Sequence, residues 1–388
     1  MCLISQALAY ASDDIKASIV NFYPGEEIYE LEGHTVLRIQ ANGEDMAVSY
    51  GTFDFEAPNF VYRFCKGETD YWVTMYPYPL FEQSYKSQNR RIVEHPLLLD
   101  SAQAVKLVQL VAENMLPQNR TYRYNYVKDN CAIRPLKLVQ KALGDSIALP
   151  LSGLFPEGTS FRDVMRYYHS HYPWYQFGID LALGSGIDYP IDAWGEAFAP
   201  VLLDKQLDRA TVIDSATGNA RPLSAEAIVL YEGADATLAP TPWYLTPMAI
   251  ALLVLAVSIA FTIRDIKRCK VTKWWDATLF GIFGIMGLVL AFLVFISTHE
   301  ATSPNILLLW LNPLCLIVPI FIWLKKCNIA VISYQFVNFA LILAMLIVWP
   351  IAGQSLNGAF LPLIVADMIR ALNYIYVSKS KHNYKIRK

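Results

Sequence analysis

From Trp243 to the end, the 388-residue chain carries five apolar stretches, at roughly 243–263, 276–297, 306–324, 329–351 and 359–377. Each is close to the ~20 residues that cross a bilayer as helix, because hydrocarbon leaves no backbone polar group a partner outside the helix itself. A chain so built is a membrane protein with something soluble in front of it. The charges divide accordingly: residues 1–242 hold 19 Lys+Arg against 30 Asp+Glu, a balance of −11, while 243–388 hold 13 against 4, a balance of +9. An acidic soluble part argues against a nucleic-acid partner, since phosphate binding needs a basic excess.

Basic residues also orient the spans. Arg264, Lys267, Arg268, Lys270 and Lys273 follow the first stretch, Lys325 and Lys326 the third, and Lys379, Lys381, Lys385, Arg387 and Lys388 the fifth, whereas loops 298–305 and 352–358 have no Lys or Arg. The positive-inside rule then makes the C-terminus cytoplasmic and turns the N-terminal part to the outer side of the membrane. The opening, ending Ala9-Tyr10-Ala11, has the small-x-small form of a signal-peptidase site and is expected to be a signal remnant over 1–11. A polar linker is expected at 233–242.

Residues 12–232 read as one mixed α+β domain. His34–Ile39 and Met46–Tyr50 flank an Asn42-Gly43 turn and predict a hairpin; Ala216-Thr-Gly-Asn-Ala220 suggests another. Helices are expected at 101–115, opening Asp100-Ser-Ala-Gln, and at 131–143, stopping before Gly144. The second starts in Asp129-Asn-Cys-Ala-Ile-Arg-Pro135, where Asp129 or Asn130 can cap and Pro135 is tolerated in the first turn. Cys131 then sits at a helix N-terminus, whose dipole should lower its thiol pKa and whose amides could bind an oxyanion. His34, on a strand, is the candidate base; His95, His169 and His171 compete with it. The bland readings are a small buried hydrophobe for Cys131 and a hydrogen-bonded structural residue for His34. His169 and His171 lack further ligands at metal-binding spacing, so no metal is expected.

Gly33-His34-Thr35, Tyr50-Gly51-Thr52-Phe53-Asp54-Phe55, Phe60-Val-Tyr-Arg-Phe-Cys-Lys-Gly67 and Asp129-Asn-Cys-Ala-Ile-Arg-Pro135 together resemble the outer domain of the Bacteroidota lipoprotein N-acyltransferases (Lnb-type). His299, Asn305 and Trp310-Leu-Asn-Pro-Leu314 resemble that family's membrane signature. The His-before-Cys order is also similar to the permuted papain-like, NlpC/P60-related fold. The resemblance implies a papain-like periplasmic domain, a five-helix all-α membrane domain, Cys131 as nucleophile and His34 as base. Ser49, Tyr50 or Asp54 would supply a third polar residue, Asn130 and Arg134 would support the site, and Cys65 has no place in the pattern. It also implies a phospholipid acyl donor, diacylated lipoproteins as acceptors, a thioester intermediate and no cofactor, with His299, Asn305 and Asn312 as substrate-side candidates. Two other reactions use the same residue types: peptidoglycan hydrolysis by a membrane-tethered endopeptidase or amidase, and acyl transfer within one lipoprotein. A non-catalytic ligand-binding module is the third reading. Within the membrane part, Asp367 and Arg370 are expected to pair with each other, and Gly281, Gly284 and Gly287 to mark close helix packing.

Overall fold

The computed structural model describes residues 15–234 and 239–386, so the expected signal remnant lies outside the described residues. The chain forms two compact units, Met1–Tyr168 with Pro190–Ala239, and His169–Tyr189 with Pro240–Lys388.

The first unit is an α/β domain. Its strands β1 (Lys16–Phe22), β2 (His34–Ala41), β3 (Glu44–Thr52), β4 (Tyr71–Pro77), β5 (Ile92–Pro96), β6 (Thr121–Tyr122) and β10 (Ile228–Tyr231) make a seven-stranded antiparallel sheet, ordered β10-β5-β1-β2-β3-β4-β6. The β2–β3 hairpin closes on Asn42 and Gly43, both at positive φ, the conformation a two-residue hairpin turn requires. β7 (Ser146–Ala148), β8 (Thr211–Ile213) and β9 (Ala220–Pro222) form a second, small sheet that includes the hairpin expected near 216–220.

Alternation along β2 assigns the two faces of the main sheet. Leu37 and Ile39 join Ile19, Val48 and Tyr50 in a core covered by Leu107 and Val111 of one helix and Leu136 and Val139 of another. Val36 joins Val20, Phe22 and Ala47 against Tyr78, Phe81 and Tyr85 on the opposite face. The helices in chain order are α1 (Phe60–Lys66), α2 (Tyr78–Ser87), α3 (Ser101–Met115), α4 (Ile133–Leu143), α5 (Phe161–Tyr168), then α6 (Pro173–Ala182), which belongs to the second unit, and α7 (Ala193–Glu196) and α8 (Pro200–Leu207) of the first. α3 starts at a capping box in which Asp100 accepts from Gln103 N and the Gln103 amide returns to Asp100 N. α4 ends at Gly144, whose φ of 76° a side chain would resist.

Among the described residues, the second unit contains four helices long and apolar enough to cross a membrane: α9 (Pro247–Arg268), α10 (Lys273–Phe295), α12 (Asn328–Ala352) and α13 (Phe360–Ile386). The stretch expected as a third full span, 306–324, is instead broken into turns at Ile306–Leu309 and Pro313–Leu316 and the short α11 (Ile317–Phe321). The cause is local: the Asn305 and Asn312 side chains accept from Leu307 N and Leu314 N, restarting the chain twice, and Pro313 lacks an N–H. Glycine lets α10 approach this irregular segment, since a Cβ on Gly284 would lie 2.7 Å from the Leu316 side chain and one on Gly287 2.5 Å from Asn312 backbone.

Residues 169–189, expected within the outer domain, belong to this second unit. Phe177 meets Phe360 at 5.0 Å between ring centroids, Asn305 Nδ2 donates to Leu181 O, and Gly184 N donates to Ala301 O. The expected Asp367–Arg370 pair does not form either. Arg370 bonds Asp276 at 2.6 Å and Asp265 at 2.8 Å, while Asp367 accepts from Asn338 Nδ2 at 2.6 Å. Three residues apart on one helix, the two side chains each find a better-placed partner on a neighbouring helix.

Candidate active site

β2 begins after a forced glycine. Gly33 has φ of 88°, and a Cβ there would stand 2.4 Å from the Phe22 carbonyl oxygen, so only glycine brings His34 into register opposite Phe22. The ladder to β3 ends at the pair Val36 and Ser49. Ser49 and His34 therefore lie on the same side of the hairpin, and His34 Nε2 is 2.9 Å from Ser49 Oγ. The imidazole lies parallel to the Tyr85 ring with centroids 6.5 Å apart. Burial, followed by the nearby Arg90 guanidinium, lowers its pKa to about 4, which keeps it neutral at neutral pH. Arg90 is itself buried, donating to Tyr23 O and Glu30 Oε1 and lying 4.5 Å over the Tyr85 ring.

Cys131 comes to the same end of the sheet from the other direction, two residues before α4. Its thiol is buried, with the Thr35 backbone, next to His34, and the Tyr124 hydroxyl among the groups that act on it electrostatically, and the Cys131 amide donates to Tyr124 Oη at 3.4 Å.

The expected depression of the thiol pKa is not found. Burial dominates and raises it above the ordinary cysteine value, and the opposing influence of Thr35 and Tyr124 is smaller. The helix terminus offers little, since the Ala132 and Ile133 amides both donate to Asn130 Oδ1 at 3.0 Å. The terminus is capped before it can act on sulfur, and the same bonds remove those two amides as oxyanion donors. Burial thus works against the charged form of both groups, raising the thiol and lowering the imidazole.

Of the other candidates in this unit, Tyr50 lies on the opposite face of β3, 1 % exposed, its ring 6.3 Å from that of Tyr122. Asp54 is exposed and accepts from Glu56 N. Asn130 also donates to Tyr126 O and Phe198 O, which makes it a structural cap, and Arg134 pairs with Asp129 at 2.7 Å while covering the Tyr122 ring. Ser49 is the one of the five that touches His34. His95 is fully buried and bonded through Nε2 to Asp204 at 2.8 Å. Cys65 is half-buried in α1, with no disulfide.

In the second unit, His169 Nδ1 meets Gln176 Oε1 at 2.8 Å and His171 is exposed. His299 accepts from Thr302 through its carbonyl, Asn305 is spent on Leu181 O, Leu307 N and Gln354, and Asn312 on Leu309 O, Trp310 O and Leu314 N. The two asparagines thus serve the backbone around them. Among the described residues, no group of three or more His, Cys, Asp and Glu could hold a metal ion.

Sequence reasoning missed Tyr124, Tyr85, Arg90 and the Thr35 amide. Tyr124 alone carried a signal, as an aromatic seven residues before the cysteine in the same motif.

Two family models match the chain. Residues 6–165 match the Lnb N-terminal periplasmic domain, and residues 239–382 match the Lnb transmembrane domain. No curated protein and no solved structure matches it.

Proposed function

Because the chain belongs to the Lnb-type lipoprotein N-acyltransferase family, we propose that it moves an acyl chain from a membrane phospholipid to the α-amine of a diacylglyceryl-cysteine lipoprotein, through a thioester on Cys131. The observation that carries this reading is the convergence at one end of the sheet. The Cys131 thiol is buried among groups that include the Thr35 backbone, and the adjacent His34 lies 2.9 Å through Nε2 from Ser49 Oγ, with burial disfavouring its charged form.

In the productive tautomer Nε2–H donates to the Ser49 hydroxyl, and Nδ1 is left with the lone pair of a base. The thiol proton passes to Nδ1 as sulfur attacks the ester carbonyl. An S–C bond forms, the ester C–O bond breaks, and the leaving lysophospholipid oxygen takes the proton back. The amine then attacks the thioester: an N–C bond forms, the C–S bond breaks, and the amine's surplus proton returns through His34 to sulfur. A protonated thiol suits a site that must wait for lipid substrates, because a standing thiolate is the form that oxidises. His34 on a strand ahead of Cys131 at a helix start supports a permuted papain-like scaffold.

The same reading sets the topology. The first unit is periplasmic, and the basic residues after α9, before α12 and at the end of α13 put those ends and the C-terminus in the cytoplasm. α10 then ends outside and α12 begins inside, so the broken segment 306–324 completes a fifth crossing. Irregular backbone is tolerated at that depth because it is buried in protein: Leu307, Trp310, Leu311, Cys315 and Val318 are fully shielded.

The deciding experiment is mass spectrometry of a diacylated lipopeptide incubated with the purified protein and phospholipid. Gain of one acyl chain with release of lysophospholipid, abolished in Cys131→Ser, is expected. A lipopeptide whose acyl count stays the same while a chain changes position would replace this reading with intramolecular transfer, and cleavage of muropeptides without lysophospholipid would replace it with hydrolysis.

A further inference from the structure

We propose that the Tyr124 phenol is the side-chain half of an oxyanion hole at Cys131, its O–H and the Cys131 backbone N–H together receiving the negative oxygen formed when sulfur attacks an acyl carbon. The inference rests on the thioester reading above and deepens it.

Three observations lead to it. The Cys131 amide donates to Tyr124 Oη at 3.4 Å, which puts the phenol and that amide side by side at the residue that carries the attacking sulfur. At 3.4 Å the amide is loosely held and free to turn to a better acceptor. The usual alternative, a pair of amides at the helix start, is closed, because the Ala132 and Ile133 N–H groups are committed to Asn130 Oδ1. A hole at this sulfur therefore has one backbone donor and needs a second from a side chain.

The phenol is also held in place. Its ring stacks on Tyr71 at 4.7 Å, and it lies against the backbone of Gly51, where an added Cβ would approach Tyr124 Cε2 to 3.0 Å. Burial drives the Tyr124 pKa far up, so the hydroxyl keeps its proton and remains a donor at every working pH.

In the step itself the thiol proton goes to His34 and the S–C bond forms. The carbonyl π pair moves onto oxygen, and that oxygen accepts hydrogen bonds from Tyr124 O–H and Cys131 N–H without taking either proton. On collapse the pair returns, the C–O bond breaks, and His34 protonates the leaving oxygen.

Tyr124→Phe in the full-length protein tests this, since it keeps the ring and its stacking. Three readouts are compared with the wild type: kcat and KM for acyl transfer, the affinity for a long-chain fatty aldehyde that adds reversibly to the thiol, and the high-pH plateau rate of alkylation by iodoacetamide. Alkylation at a methylene carbon develops no oxyanion. We expect kcat to fall about 10²-fold or more with KM within about twofold, aldehyde affinity to fall in parallel, and the alkylation plateau to hold. A kcat within about threefold of wild type overturns the inference, as does an alkylation plateau that falls with kcat, which would mean that Tyr124 only positions sulfur. Intact mass keeps the two levels apart. Wild-type protein that never carries an acyl group on Cys131 refutes the thioester reading. Acylation of Cys131 at equal speed in wild type and Tyr124→Phe refutes the oxyanion role alone.

Discussion

Ser49→Ala is the sharpest test of how His34 is held. The hydroxyl lies 2.9 Å from Nε2 of a half-buried imidazole, from which it accepts in the tautomer that leaves Nδ1 as the base, and among the third-residue candidates Ser49 alone reaches that ring. Removing it forfeits a hydrogen bond worth about 0.5–1.5 kcal/mol net and leaves a ring N–H in a largely dry setting, a further loss that brings the range to about 1–3 kcal/mol. If that loss falls on the barrier, each 1.36 kcal/mol is about tenfold in rate. The variant should therefore retain acyl transfer at about one-tenth of wild-type kcat/KM, measured as initial rates of lipopeptide acylation by mass spectrometry in detergent micelles. Ser49→Thr, which keeps a hydroxyl, should recover most of the loss. An unchanged rate in Ser49→Ala would refute the orienting role. A fall to the level of Cys131→Ser would also refute it, because a positioning hydrogen bond cannot account for complete loss.

Other expectations follow from the same geometry. A His34 pKa of about 4, against the ordinary value near 6.5, means that the base form persists well into acid. The acid limb of kcat/KM should then fall near pH 4–5, and a limb near 6.5 would contradict the burial argument. The sign for stability is the same: the unfolded chain gains a proton on this residue below about pH 6.5 while the folded one does not, so stability is full above 6.5 and declines as pH falls toward 4. Gly51→Ala forces a side chain onto φ of 95° and against Tyr124, and should cost about 1–3 kcal/mol in denaturation and lower acyl transfer as well. Activity equal to wild type would show that the Tyr124 position is not critical. Arg370→Met leaves Asp265 and Asp276 buried without their guanidinium and should cost about 3–5 kcal/mol, read as a lower Tm in detergent. An unchanged Tm would remove the network from the account of membrane-unit stability. His95→Ala should lower Tm through loss of the Asp204 bond while leaving acylation of Cys131 measurable, and abolition of acylation in a folded variant would return His95 to the list of bases.

Local signals carried much of the architecture. The Asn42-Gly43 turn, the Asp100–Gln103 box and the stop at Gly144 are each set by a few adjacent residues, and the structure has all three. The apolar spans are legible for the same reason, since lipid imposes length and composition directly. Features that depend on distant partners were not legible. Arg370 finds Asp276 and Asp265 across 94 and 105 residues, so its near neighbour Asp367 was the wrong guess. The direction of the Cys131 pKa reversed because a helix terminus is visible in sequence while desolvation and Asn130's hold on two amides are tertiary. Choosing among Ser49, Tyr50 and Asp54 needed the hairpin register, which pairs Val36 with Ser49 and sends Tyr50 through the sheet. The break in 306–324 was half visible, in Pro313 and the two asparagines, but an apolar run alone cannot say whether its backbone stays helical.

The membership of residues 169–189 in the membrane unit constrains how the protein can be dissected. The polypeptide passes between the two units three times, near residues 168, 189 and 239, so the outer domain is not a bead on a single string. A secreted fragment ending before the linker would take with it a helix whose Phe177 and Leu181 have lost their cover, and would deprive Asn305 and Gln354 of the carbonyls they bond at Leu181 and Leu183. Such a fragment should aggregate through that helix. A version with 169–189 replaced by a short polar bridge is the rational starting point for a water-soluble form.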